Sequence, residues 1–206
     1  MVSVTKLISD HMRRKLLPLQ DAYLRRDSAA LGQLAALRRA GLTVGDDPRV
    51  WSIVFDALPE ELEGRGSAPS YAERAVQAAF HIYAHHQQSM TEPMHRHGVP
   101  FGGAVGMLAR ARGEGGELHP ATVKRFQGAA LAQNHDGRVQ LLRQLTSMMR
   151  AQKSPTIGLD YASLAADLFR LQIPAQAASV RLAWGRQLHR LPSTDSTNDN
   201  ATSKEN

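Results

Sequence analysis

The segment from Arg138 to Arg150 carries the residues best placed to do chemistry in this sequence. Read as a helix at about 100° per residue, it puts five apolar residues on one arc: Leu141, Leu142, Leu145, Met148 and Met149. Arg143 and Arg150 fall within about 20° of each other on a different side, roughly 10 Å apart along the axis. Guanidinium groups suit phosphate oxygens, so this face predicts a phosphate-binding pair. The alternative is an ordinary solvated helix face, where arginine is common.

Basic residues recur in pairs along the chain, and this adds weight to the first pair. Further examples are Arg13-Arg14, Arg25-Arg26, Arg38-Arg39, Lys124-Arg125 and Arg181 with Arg186. The 206 residues carry a formal net charge of +6, and positions 105 to 190 hold twelve Lys and Arg against five Asp and Glu. Aromatic residues make up 5% of the chain, so base stacking should be minor. We therefore predict a polyanionic partner that is held through its phosphate backbone, with little reading of base sequence.

Signals for catalysis are weak. Gly102, Gly103 and Gly106 lack the preceding strand and the Gly-Lys-Ser/Thr of a Walker loop, and a tight turn that lets backbones approach explains them. His81 and His85 have a metal-binding spacing but no matching Glu or Cys, so a helix face near a partner surface is favoured. With no cysteine in the chain, disulfides, cysteine nucleophiles and thiolate zinc sites are excluded. We predict no catalytic residue, no metal and no cofactor.

The segments that carry these residues are all predicted to be helices. The apolar set is mostly Leu and Ala at helical spacing, which predicts an all-α fold without a sheet. Helix starts are predicted at Asp27, Asp47-Pro48, Ser70 with Glu73, His119-Pro120 and Asp160. Pro18 should kink or split the first helix near Leu17, and residues 93–106 should be irregular. Leu145 and Trp184 should lie in the core, since each is on the apolar stripe of its helix.

The order of the helices predicts two small bundles packed in tandem. The first should span residues 1–98, the second residues 99–191, and the Ser-, Thr-, Asn- and Asp-rich residues 192–206 should form a disordered tail. No apolar run approaches 18 residues, and the N-terminus lacks a continuous apolar signal core. We therefore expect a soluble protein of the cytoplasm.

An ordered set of short motifs resembles one known family. These are Ala36-Leu-Arg-Arg-Ala-Gly41, Phe80-His-Ile-Tyr-Ala-His-His86, Phe101-Gly-Gly-Ala104, Lys124-Arg-Phe126, Leu141-Leu-Arg-Gln-Leu-Thr146, Leu159-Asp-Tyr161 with Asp167-Leu168, and Val180-Arg-Leu-Ala-Trp-Gly-Arg186. Each motif is short, but their order and spacing are similar to the small subunit of type I-E CRISPR Cascade complexes, the CasB family. The likeness runs from about Leu16 to Leu191. Two departures are Leu168-Phe169, where some members have a tryptophan pair, and the loop at residues 59–69.

The resemblance implies a non-catalytic subunit of a CRISPR RNA-guided surveillance complex. Family members occur as two copies, beside the repeated backbone subunits that hold CRISPR RNA, and one copy adjoins the large subunit. Their basic surface is thought to guide the displaced non-target DNA strand and to steady the R-loop. By motif position, the matching basic residues are Arg39, Lys124 or Arg125, and Arg143. With Arg150 and three weaker matches, the full set expected to bind nucleic acid is Arg38, Arg39, Arg74, Lys124, Arg125, Arg143, Arg150 and Arg186.

Two other classes of function stay open. The chain could be a helical protein–protein adaptor with no direct nucleic-acid role, in which the arginines serve solubility or acidic partners. It could also be a nuclease or another enzyme with a concealed site. Salt-sensitive DNA binding would indicate a nucleic-acid-binding subunit and not an adaptor, because contacts to the phosphate backbone weaken steeply with salt. Metal-dependent cleavage would reveal the second.

Overall fold

The computed structural model describes residues 2–42, 44–45 and 47–190, and this part of the chain folds into helices without a strand. The nine α-helices of this part are α1 (Val4–Leu24), α2 (Ser28–Arg39), α3 (Trp51–Val54), α4 (Tyr71–Gln87), α5 (Phe101–Arg112), α6 (Pro120–Leu131), α7 (His135–Ala151), α8 (Tyr161–Leu171) and α9 (Pro174–His189). Short 3-10 turns lie at Pro48–Val50 and Glu60–Leu62. His95 and Leu159 form an isolated parallel bridge. The all-α prediction is confirmed.

Local capping explains where several helices begin. The Asp27 carboxylate accepts a hydrogen bond from the Ala30 amide at 2.9 Å. The Ser70 hydroxyl accepts from the Glu73 amide at 3.0 Å, and the Glu73 carboxylate accepts from the Ser70 amide at 2.6 Å, which completes a capping box. Asp160 accepts from two amides in the first turn of α8. These predicted starts are confirmed, because capping depends on residues close in sequence.

Two predicted segments need correction. Of the kink or split expected near Leu17, the split is absent, because Pro18 lies inside the continuous helix α1, while the kink stays a prediction. The segment expected to be irregular at residues 93–106 contains the first half of α5. Its glycines face α9: a Cβ on Gly106 would lie 2.6 Å from the Leu188 carbonyl oxygen, and one on Gly102 would meet the Trp184 carbonyl oxygen. These glycines therefore let two helices pack closely and do not form the turn that the sequence suggests.

One contiguous core joins the helices. Helix α1 packs against α8, α4 against α7 and α8, α5 against α9, and α6 against α7. Leu145 and Trp184 are both fully buried, as predicted. Helices from both proposed bundles share this core, and the boundary between residues 98 and 99 stays a prediction. The proposed tail at 192–206 and Leu191 lie outside the described residues.

The pair formed by α4 and α7 positions most of the arginines discussed below. Near the amino ends, an Arg74 guanidinium nitrogen lies 3.6 Å from the Asp136 carboxylate. Near the carboxyl ends, Arg150 donates a hydrogen bond to the His85 carbonyl oxygen at 2.9 Å. The two helices therefore run side by side in the same direction, with both amino ends at one end of the pair.

Candidate nucleic-acid interface

The end of α4 holds two of the predicted arginines in place. The last carbonyl groups of a helix lack amide partners within the helix, and nearby side chains commonly supply them. Arg38, at the end of α2, donates from Nη1 to the Ala84 carbonyl oxygen at 3.3 Å. Arg150, in the last turn of α7, donates from Nη1 to the His85 carbonyl oxygen and, at 3.1 Å, to the Gln88 side-chain oxygen. Both guanidinium groups are therefore fixed by backbone carbonyls.

Arg143 joins them on the same side. It lies two turns before Arg150 on α7, is half-buried, and donates from Nε to the Gln140 side-chain oxygen at 3.2 Å. All three arginines lie near His85: burial lowers the pKa of its imidazole to about 4, with smaller contributions from His81 and from the charges of Arg143, Arg38 and Arg150. We call Arg38, Arg143 and Arg150 around His85 the carboxyl-end cluster.

The carboxyl-end cluster keeps its positive charge. Among the described residues, none of its three arginines has a carboxylate oxygen within 4.0 Å, and the same holds for the exposed Arg39 beside Arg38. The pKa of Arg38 is lowered by burial, and the charges of Arg39 and Arg150 lower it further. Several uncompensated guanidinium groups on one face favour binding of a polyanion.

The other predicted residues lie elsewhere. Lys124 and Arg125 are exposed on α6, where Arg125 donates to the Ala121 carbonyl oxygen of its own helix at 3.1 Å. Arg186 is exposed on α9. Arg74 is on the first turn of α4, at the opposite end from the cluster. Within the described chain, no hydrogen bond or ion pair links these four to the carboxyl-end cluster, and their role in binding stays a prediction.

One buried arginine, Arg138, is not among the residues predicted from the sequence. Arg138 is 4% exposed and lies on the buried arc of α7, in line with Leu142 and Leu145. Arg138 lies four and seven residues before these leucines, so helical spacing places it on the apolar side of the helix. This spacing could have indicated a buried arginine, because a charged side chain on an apolar face needs polar partners. It lines a polar pocket together with Arg181.

The histidine group on α4 is mostly inside the protein. His81 is 5% exposed and its Nδ1 lies 3.0 Å from the Leu37 carbonyl oxygen, while the fully buried His86 has its Nδ1 2.7 Å from the Tyr161 hydroxyl. Burial lowers the pKa of His86 to about 3, so its ring is neutral near pH 7. No group of three or more His, Asp or Glu in the described part of the chain could hold a metal ion.

Comparison with known proteins identifies the family. The sequence profile of the family described as CRISPR-associated protein Cse2 matches residues 33–189. The chain belongs to the Cse2 family. Among solved structures, it is similar to CasB from Thermobifida fusca, with 27% sequence identity, a TM-score of 0.75, and coverage of 89% of this chain and 98% of that chain.

A second solved structure shares the fold. The Cse2-family CRISPR-associated protein of Thermus thermophilus is 22% identical, with a TM-score of 0.59 and coverage of 91% of this chain and 99% of that chain. No curated protein sequence matches the chain significantly. In the described part of this Cse2-family protein, no helix has the length and apolar character needed to cross a lipid bilayer.

Proposed function

We propose that this Cse2-family protein is a non-catalytic, cytoplasmic subunit of the CRISPR RNA-guided surveillance complex Cascade. It binds the nucleic-acid backbone on the carboxyl-end cluster and the adjacent Arg39. One observation carries the proposal: guanidinium groups from α2 and α7 meet on one face, and among the described residues no carboxylate neutralises them. Membership of a CRISPR-associated family supports it.

Phosphate neutralisation is the mechanism that this surface suits. Lysine and arginine contacts to phosphates release condensed counterions, which gives affinity without reading base sequence. Formation of an R-loop is a near-balanced exchange of one duplex for another. A surface that holds the displaced non-target strand, or steadies the CRISPR RNA and target strand, therefore needs to contribute only modestly to shift the balance.

The four arginines have two different roles in this proposal. Arg38 and Arg150 use donors on the carbonyl groups at the end of α4, so they supply a fixed positive potential. Arg39 is exposed, and the one side-chain hydrogen bond of Arg143 in the described structure is to Gln140 of its own helix. A guanidinium carries five N–H donors, so these two keep donors for phosphate oxygens. They are the direct contacts in this proposal.

The partners follow from the same proposal. The protein would contact the repeated backbone subunit, the large subunit and a second copy of itself, as well as CRISPR RNA and the target and non-target DNA strands. Lys124, Arg125 and Arg186 would extend the basic track or meet these partners. The rival function is that of a helical adaptor, in which the arginines dock acidic protein surfaces.

The decisive experiment uses the complete complex assembled with CRISPR RNA. We expect the double variant Arg39→Gln with Arg143→Gln to assemble normally, because neither side chain caps α4 or enters the core. R-loop formation, measured by permanganate footprinting of the displaced strand, should fall. The slope of log affinity against log salt should decrease by about 0.7 for each single-strand phosphate contact that is lost.

A matched control removes the same charge elsewhere. Arg65 and Arg112 are exposed, and neither makes a side-chain hydrogen bond or ion pair within the described residues, so Arg65→Gln with Arg112→Gln should leave R-loops unchanged. Normal R-loops in the Arg39 and Arg143 variant would refute this site. Loss of the variant subunit from the complex would instead favour the adaptor function.

A further inference from the structure

A pocket of about 600 Å³ opens at the amino ends of α4, α7 and α9, opposite the carboxyl-end cluster. This volume lies within the range typical of small-molecule sites. Charged and polar side chains dominate its wall: Arg74, Arg138, Arg181, His135, Gln172 and Tyr71. Three guanidinium groups thus line one concave space, and no carboxylate is among the lining residues. We call this space the amino-end pocket.

Several buried polar atoms of the amino-end pocket lack a partner. Arg138 donates from Nη2 to the Ala132 carbonyl oxygen, but its buried Nε has no acceptor. His135 is 8% exposed and its Nδ1 is also without a partner, as is the Oε1 of Gln172. A buried polar group without a hydrogen bond costs free energy, so an arginine that is 4% exposed with an unmet donor indicates a missing acceptor.

The electrostatics of the pocket point to an anion. Burial lowers the pKa of the Arg138 guanidinium, and the neighbouring charge of Arg181 lowers it further, so the two groups repel each other. Arg74 is 3.6 Å from Asp136, which compensates part of its charge from outside the lining. The pKa of His135 falls to about 4, mainly by burial and then through Arg74, with Asp136 opposing, so its ring is neutral near pH 7.

The backbone around the pocket includes three helix starts. Helices α4, α7 and α9 begin at Tyr71, His135 and Pro174, and all three residues line the pocket. The first turn of a helix presents amide N–H groups and the positive end of the helix dipole, which favours an anion. The ends of α6 and α8 also line the pocket, and Arg138 donates to one of their carbonyl groups, that of Ala132, which leaves Arg181 and the Nε of Arg138 without an acceptor in the described chain.

We propose that the amino-end pocket is a binding site for a phosphate group, with Arg138 and Arg181 as its principal ligands. A phosphate presents several oxygens, so it can accept from both guanidinium groups together, and a small rotation of the Arg138 side chain would bring its Nε within reach. The half-exposed ring of Tyr71 lies in the wall, where a base attached to the phosphate can pack. The volume of the pocket exceeds what a single carboxylate would fill, which favours a nucleotide phosphate over an acidic side chain of a protein partner.

The test uses the full chain alone and measures binding by isothermal titration calorimetry. The probes are inorganic phosphate, 2′-deoxyadenosine 5′-monophosphate, 2′-deoxyadenosine and sodium acetate. We expect both phosphate probes to bind and the unphosphorylated nucleoside not to bind. A monophosphate that binds more tightly than inorganic phosphate identifies a nucleotide as the source, and equal affinities identify free phosphate. Acetate binding as tightly as phosphate would overturn the proposal and indicate a partner carboxylate.

Variants connect the binding to these residues. Arg181→Gln should weaken phosphate binding at least about tenfold, since it removes one charge-assisted contact, while the helical circular dichroism spectrum stays unchanged. Arg138→Gln should have a larger effect, but Arg181 is the safer variant because its side chain is less buried. Arg112→Gln removes the same charge from α5 and should change nothing. Phosphate binding that survives Arg181→Gln at full affinity would refute the assigned ligands.

This inference is independent of the R-loop function. The pocket is tested by phosphate binding to the isolated chain, whereas the carboxyl-end cluster is tested by R-loops in the assembled complex. The site variants of the two experiments share no residue. Failure of either experiment therefore leaves the other proposal standing.

Discussion

The two ends of the α4–α7 pair both gather arginines, and the surroundings of these arginines differ. At the carboxyl ends, Arg38 and Arg150 donate to the carbonyl oxygens of Ala84 and His85. At the amino ends, Arg138 also donates to a carbonyl oxygen, that of Ala132 at the end of α6, but its Nε has no acceptor among the described residues. The arginines at the carboxyl ends are therefore held by carbonyl groups, whereas Arg138 keeps a buried donor and, beside it, the charge of Arg181, which the proposed phosphate would compensate.

This difference limits what a count of charges can reveal. Arg143 and Arg150 stand out in the sequence by their spacing, and Arg138 on the same helix carries the same charge. The structure places Arg138 in the interior and Arg143 at half burial. What separates these arginines is the partner that packing gives each one: the Ala132 carbonyl oxygen for Arg138, Gln140 of its own helix for Arg143 and the end of α4 for Arg150.

The substitution with the largest expected effect is at Leu145. This residue is fully buried on α7, the helix that carries Arg138 at one end and Arg150 at the other. Leu145→Ala should loosen α7 and so disturb both ends together. We expect a loss of about 2–5 kcal/mol in the free energy of unfolding, measured by urea denaturation. Leu131→Ala on α6 is the control: this side chain is 64% exposed, and the change should stay within about 0.5 kcal/mol. A loss no larger than that of the control would contradict the packing of α7 described here.

The sequence predicts best what depends on near neighbours. The caps at Asp27, Ser70 and Asp160 follow from residues within three positions, and all three are present. The start of α5 is not predictable in this way, because its glycines are explained by α9, which lies some eighty residues further along the chain. Membership of the family is also recognisable, since the order of several short motifs carries more information than any one of them.

The candidate site is predictable only in part, for the same reason. Helical spacing alone puts Arg143 and Arg150 on one side of α7, and both belong to the carboxyl-end cluster. The acceptors that fix Arg150 come from the end of α4, more than sixty residues earlier, and local patterns cannot supply them. The amino-end pocket escapes sequence analysis altogether, because its wall combines side chains from the starts of three helices.

Two matched substitutions should change the free energy of unfolding differently at the two ends of the α4–α7 pair. Arg150→Met removes the donor to the His85 carbonyl oxygen and the Gln88 side chain, so we expect a loss of about 1 kcal/mol in unfolding free energy. Arg181→Met removes a charge that repels Arg138, and it should be neutral or slightly stabilising. Both variants lose one positive charge, and both are measured by the same urea denaturation. Equal losses would mean that the surroundings of the two arginines do not differ as described.

The smallest expected effect is a difference in acid sensitivity. The folded-state pKa values of His85 and His135 are both lowered from 6.5 to about 4, mainly by burial. The stabilising contribution of each histidine is present above pH 6.5 and is lost as the pH falls towards 4, because the unfolded chain takes up the proton first. Asp167 opposes this trend: burial raises its pKa from 3.8 to about 6, so its contribution declines as the pH rises through that range. His135→Gln should therefore reduce the loss of stability between about pH 7 and pH 5.5, measured by urea denaturation at each pH.

Phosphate should then distinguish the two histidines. An anion bound beside Arg138 and Arg181 favours the protonated form of His135 and raises its pKa, whereas His85, which lies outside the pocket, should respond less. The measurement is an NMR titration of both imidazole rings, with and without phosphate, at an ionic strength held constant with chloride. A parallel shift of both pKa values would indicate general screening of the basic surface. A larger shift at His135 than at His85 would show that the amino-end pocket holds phosphate more tightly than the carboxyl-end cluster does.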